Sequence, residues 1–98
     1  MLETLTREQF APHLAQTFRL ELQGHTLELQ LAEVNALADH SGGRASRQPF
    51  SLVFVGSRNQ VLPQRIYPLD HPDLGRLEIF LVPIGPDARG MRYEAVFT

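Results

Sequence analysis

From Phe18 onward, apolar residues recur at every second position, and the residues between them change character along the chain. Phe18, Leu20 and Leu22 alternate with Arg19, Glu21 and Gln23. Beyond Gly24-His25, Leu27, Leu29 and Leu31 alternate with Thr26, Glu28 and Gln30. A period of two marks a strand with one wet face. Reading Gly24-His25 as a two-residue type II′ loop pairs Leu22 with Leu27, Leu20 with Leu29 and Phe18 with Leu31. The same register sets Glu21 opposite Glu28, an unfavourable like-charge pair. After Leu31 the apolar phase slips to Val34, Ala36 and Leu37, which predicts a bulge or strand end near Ala32-Glu33.

Four further strands follow. Phe50–Val55 carries Phe50, Leu52 and Phe54 on one face, and Gly56–Gln60 reads as a turn. A strand at about Gln64–Leu69 points Ile66 or Tyr67 inward together with Leu69. His71-Pro72-Asp73-Leu74-Gly75 is turn chemistry, since proline presets φ and glycine accepts the left-handed position. Leu77–Val82 is a strand, the chain turns again over Pro86-Asp87 and Gly90, and Met91–Phe97 closes with Met91, Tyr93, Ala95 and Phe97 in phase. Upstream, Thr6 and Gln9 form a capping-box pattern between Leu5 and Phe10, the two hydrophobic-staple positions. They predict one short helix at about 6–14, broken at Pro12, where Ala11 is pushed from helical geometry. Leu14 is expected to face inward.

Short connections leave no room for helical crossovers, so neighbouring strands are expected to be antiparallel. The expected fold is mainly β: an antiparallel meander of about six strands over residues 17–97, curling into a small barrel or folded sheet. Ninety-eight residues make a single domain, 1–98. Residues 38–48 are polar and aperiodic, an exposed loop whose Arg44 and Arg47 read as solvated charge.

Composition narrows the function more than it identifies it. There are no cysteines, which removes disulfides, thiolate metal sites and cysteine nucleophiles and suits a cytoplasmic setting. A formal net charge of −2 argues against a nucleic-acid surface. No apolar run approaches the ~20 residues of a membrane-spanning helix, and the N-terminus lacks the apolar core of a signal peptide.

Candidate chemistry is sparse. Asp70-His71, with Asp73 nearby and Glu94 as a further carboxylate, could supply a general base. No nucleophile stands at a recognisable spacing from it, and neither Ser51 nor Ser57 sits in a G-x-S-x-G elbow. The histidines His13, His25, His40 and His71 fall in four segments without paired metal-ligand spacing, so no metal or other cofactor is expected unless folding gathers them with Asp39 or Asp70. His25 reads as a turn residue. Gly42-Gly43 and residues 85–90 lack a helix start behind their glycines, so they are turns rather than phosphate cradles. The stronger signal is apolar residues where wet positions should be: Val53, Val55, Phe80, Val82 and Val96. Strands apolar on both faces are covered on both faces, here by the helix, by barrel closure or by a partner.

Several stretches together resemble a family of short bacterial proteins of unknown function associated with phage-tail-like gene sets. They are Leu2–Thr6 with Phe10–Pro12, Thr17–Leu20, Pro49–Leu52, Leu62–Gln64, Tyr67–Gly75, Phe80–Asp87 and Gly90–Phe97. The resemblance spans nearly the whole chain and carries no catalytic set. It implies a role in an assembly. The expectation is therefore a non-enzymatic structural or adaptor protein with a protein partner or self-association, meeting it through Val53, Val55, Phe80, Val82 and Val96. One alternative is a small ligand-binding barrel with Tyr67, Tyr93 and a histidine as polar handles. A remoter one is a small enzyme using Asp70, His71 and Glu94.

Overall fold

Thr6 starts the one α-helix among the described residues, α1 (Arg7–Phe10). The Thr6 N–H donates to Gln9 Oε1 at 2.7 Å, and the Gln9 N–H donates to the Thr6 carbonyl at 3.1 Å. Pro12 does not push Ala11 out of helical geometry. Ala11 keeps φ −54° and ψ −41°, and the chain tightens into a 3-10 turn over Ala11–His13. Proline is tolerated there because an N–H so early in a helical turn has no partner to lose. Leu14 lies beyond this turn and is exposed, not inward as expected. The computed structural model describes residues 5–38, 42 and 48–98. Most of the loop expected at 38–48, with His40, Gly43, Arg44 and Arg47, lies outside the described residues, as does Asp39.

Six strands follow: β1 (Thr17–Leu22), β2 (His25–Ala36), β3 (Phe50–Gly56), β4 (Arg65–His71), β5 (Gly75–Pro86) and β6 (Met91–Phe97). They form a closed barrel in the order β1-β2-β3-β6-β5-β4, antiparallel at every junction. The barrel is thus two three-strand meanders, β1–β3 and β4–β6, joined where β3 meets β6 and β1 meets β4. The expected antiparallel barrel is present, with the segment after β3 crossing to the far side instead of folding back.

The β1–β2 hairpin is tighter than the sequence register predicts. Its loop is Gln23-Gly24, with φ of 52° and 81°, the two positive values of a type I′ turn. Leu22 pairs with His25, Leu20 with Leu27 and Phe18 with Leu29. His25 is therefore the first residue of β2, not a loop residue. The shift is two residues, so every side chain keeps its face. What changes is the charge pairing: Glu28 now faces Arg19, with a 3.7 Å ion pair, and the Glu21–Glu28 repulsion vanishes. The bulge after Leu31 is where the phase slip placed it.

Inward residues of all six strands fill the barrel, among them Phe18, Leu20, Leu31, Leu52, Phe54, Leu69, Ile79 and Leu81. Phe18 meets Phe54 edge-on at 5.2 Å. Phe10 of α1 plugs one end, 5.9 Å from both Phe50 and Phe97, which stack on each other at 4.6 Å. Burying one such ring stabilises the fold by about 1.5–3 kcal/mol. Of Ile66 and Tyr67, Tyr67 is the inward residue: it is buried while Ile66 points out.

Not all strand junctions are alike. β3 pairs with β6 over seven residues, Phe50↔Phe97 to Gly56↔Met91. β1 pairs with β4 only at Arg19↔Asp70. Pro68 and Pro72 stand two residues to either side of Asp70 and have no N–H to lengthen that ladder.

Candidate functional site

Two surfaces hold the residues singled out from the sequence. The first is the outer wall. Val53 and Val55 were expected to face a partner, but they are 3% and 7% exposed and are already covered within the chain. Val53 is flanked by Glu33 on β2 and Glu94 on β6. Val55 lies under the β5–β6 turn: a Cβ on Gly90 would stand 3.2 Å from Val55 Cγ1 and 2.1 Å from the Gly56 carbonyl oxygen. Only glycine allows that turn to close so tightly on the wall. Val82 is half-buried. Phe80 and Val96 remain 48% and 56% exposed.

Ile66, which periodicity alone left undecided, joins them at 58% exposure. It is the direct cross-strand partner of Phe80. The β5–β6 ladder ends at Val82↔Glu94, and its register carried two residues further sets Phe80 across from Val96. The result is an apolar row, Ile66–Phe80–Val96, crossing β4, β5 and β6 on the outside of the barrel. Glu78 and Glu94 are the acidic neighbours on β5 and β6. The signal for Ile66 was present in the sequence: once Tyr67 and Leu69 face in, Ile66 must face out.

The second surface is the mouth of the barrel at the β1–β4 seam. A partly open pocket of about 520 Å³ is lined by Gln16, Thr17, Arg19, Asp70, His71 and Pro72. Adjacent strand residues point to opposite faces, so Asp70 and His71 do not form the expected acid–base pair. The Asp70 carboxylate instead takes both Nε–H (2.9 Å) and Nη2–H (3.0 Å) of Arg76, and this bidentate hydrogen bonding holds its pKa below the usual carboxylate value. Glu94 lies on the outer wall and does not line this pocket.

His71 is buried, at 5% exposure. Its Nδ1 accepts the backbone N–H of Asp73 at 3.0 Å, and that of Leu74 at 3.4 Å. A neutral imidazole with an acceptor Nδ1 must carry its proton on Nε2. That nitrogen lies 2.7 Å from Gln16 Oε1, to which it donates. The amide oxygen also lies 2.9 Å from His13 Nδ1, so His13 donates from that nitrogen and leaves its Nε2 free. The two imidazoles meet edge to face at 4.4 Å, and Phe18 lies 4.7 Å from His71. Burial lowers the His71 pKa, the nearby His13 lowers it further, and Asp73 partly opposes both.

Among the described residues, folding gathers His13 and His71 with Asp73 rather than with Asp70; their potential donor atoms lie within 4.8 Å of one another. Both His71 nitrogens are already engaged, Nδ1 by the turn amides and Nε2 by Gln16, and binding a cation through Nε2 would move the proton onto Nδ1 and cost the turn amides their acceptor. The cluster forms a hydrogen-bond relay.

The tyrosine hydroxyls are likewise committed to the backbone. Tyr67 donates to the Pro63 carbonyl at 2.6 Å. Tyr93 accepts the Leu62 N–H at 2.9 Å and lies 3.4 Å from the Gln60 carbonyl. Together they pin the crossing segment between β3 and β4 to the barrel. Burial raises the Tyr67 pKa, against the pull of the Arg65 guanidinium, which sits 5.0 Å from the ring centroid.

Fold and surfaces define a closed six-stranded antiparallel barrel with an outer apolar row and a histidine-bonded seam. The chain belongs to the DUF6916 family, a domain of unknown function, whose family model matches residues 5–97. No curated protein and no solved structure matches it.

Proposed function

We propose that the chain is a non-enzymatic structural or adaptor protein that acts through protein–protein contacts made by its outer wall. The observation that carries this reading is the row Ile66–Phe80–Val96, three large apolar side chains about half exposed on adjacent strands. Contiguous apolar surface of this kind marks contact sites more often than scattered residues do. The bacterial, phage-tail-like setting implied by the sequence resemblance belongs to this proposal, as does a cytoplasmic location; among the described residues no helix is long and apolar enough to cross a membrane. A ligand-binding barrel has less in its favour, because the interior is filled by side chains and both tyrosine hydroxyls are bonded to backbone. An enzyme using Asp70 and His71 has less still, with Asp70 held by Arg76.

Size-exclusion chromatography with light scattering, run over rising concentration, tests the reading with a second copy as partner. Wild type is expected to self-associate, and Phe80→Asp to remain monomeric with an unchanged circular dichroism spectrum. A wild type that stays strictly monomeric at millimolar concentration, indistinguishable from Phe80→Asp, overturns self-association through this row.

A further inference from the structure

We propose that His71 is an acid-released latch that closes the β1–β4 seam of the barrel. The backbone does little to hold that seam, since a single residue pair, Arg19↔Asp70, registers the two strands. Beyond that pair, Gln16 and Thr17 stand across the mouth pocket from His71 and Pro72. The imidazole spans this gap. Its Nε2–H reaches Gln16, at the start of β1, and its Nδ1 gathers the N–H groups of the 72–74 turn.

The turn bonds require an unprotonated Nδ1, whereas the Nε2–H bond to Gln16 also requires the ring to stay in its buried place. A proton added at Nδ1 turns the acceptor into a donor aimed at two other donors, the N–H groups of Asp73 and Leu74. It also puts a full charge on a buried ring packed against Phe18. The His13 ring lies 4.4 Å away between centroids, and its nearness further disfavours a charge on His71. The titratable and charged groups facing the ring are His13 from the 3-10 turn, Asp73 from the β4–β5 turn, Arg19 from β1, and Asp70 on β4, already neutralised by Arg76 on β5. Only the Asp73 carboxylate favours the imidazolium. Acid thus releases the 72–74 turn, and a charged ring leaving its buried place takes the cross-seam bond to Gln16 with it. The seam parts while residues 15 and 16 stay bonded to Leu31 of β2.

Hydrogen exchange on the full chain between pH 7.5 and 5.0, corrected for intrinsic rates, tests this. The Asp73 and Leu74 amides are expected to lose protection below about pH 6.5, by up to about tenfold per pH unit, the limit for uptake of one proton. The β3–β6 amides should stay protected. In His71→Asn, a side-chain oxygen can still accept the turn amides but does not titrate, so the pH dependence should disappear. Imidazole ¹⁵N shifts of the wild type give a readout that does not depend on the variant folding: Nε2–H at neutral pH, with both nitrogens protonated as the turn amides open. A ring that becomes fully protonated while the Asp73 and Leu74 amides remain protected overturns the latch. So does an unchanged pH dependence in His71→Asn.

Discussion

The β3–β6 wall and the β1–β4 seam are both strand junctions of one barrel, and they are held by different chemistry. The wall is a continuous ladder of seven residue pairs with apolar residues on both faces. The seam is one pair flanked by prolines and bridged by side chains. Backbone ladders are insensitive to pH because amides do not titrate. A junction bridged by an imidazole has the acid sensitivity of that imidazole. One barrel can therefore be permanent on one side and conditional on the other.

The largest effect that would break this contrast belongs to the wall. Phe54→Ala empties the centre of β3 against Phe18 and should cost about 3–5 kcal/mol in a denaturant melt; a loss under about 1 kcal/mol would mean the wall is not the rigid half. Tyr93→Phe comes next. It leaves the buried Leu62 N–H without its acceptor and should cost about 1–3 kcal/mol, without altering the pH dependence.

The pH effect follows in size. The His71 pKa is lower folded than unfolded, so below the unfolded value of about 6.5 the unfolded chain binds more protons. Stability is therefore full above that pH and falls as acid is added, by at most about 1.4 kcal/mol per pH unit until the folded value is reached. Thermal melts from pH 7.5 to 5.0 should show this slope in wild type and a flatter one in His71→Asn. The smallest effect sharpens the contrast. Asp70→Asn breaks a pair with Arg76 that lies within the β4–β5 hairpin and is solvent-exposed, so its melting midpoint should stay near wild type. A large drop would place the seam's strength in that ion pair instead of in His71.

The apolar period of two carried most of the fold because a pleated strand leaves a side chain only two directions. β6 begins and ends where its alternation does, and the slip after Leu31 is a real bulge. The first hairpin misled because glycine fits either central position of a two-residue turn. Gln23 at positive φ is uncommon, and the deciding signal was the cross-strand charge pairing of Arg19 with Glu28. Val53 and Val55 misled for another reason: alternation says which way a side chain points, not what already covers it. The His71 relay was least legible. Its partner Gln16 is 55 residues away in sequence, and only barrel closure brings the two together.

Closure also conceals a liability. A barrel has no edge strands, but parting the β1–β4 seam would create two at once, each with backbone donors and acceptors unmatched. The protein would then offer a new strand an open site for pairing, next to residues that already face outward without cover. A single buried histidine therefore decides whether this sheet ends in itself or can continue into a neighbour.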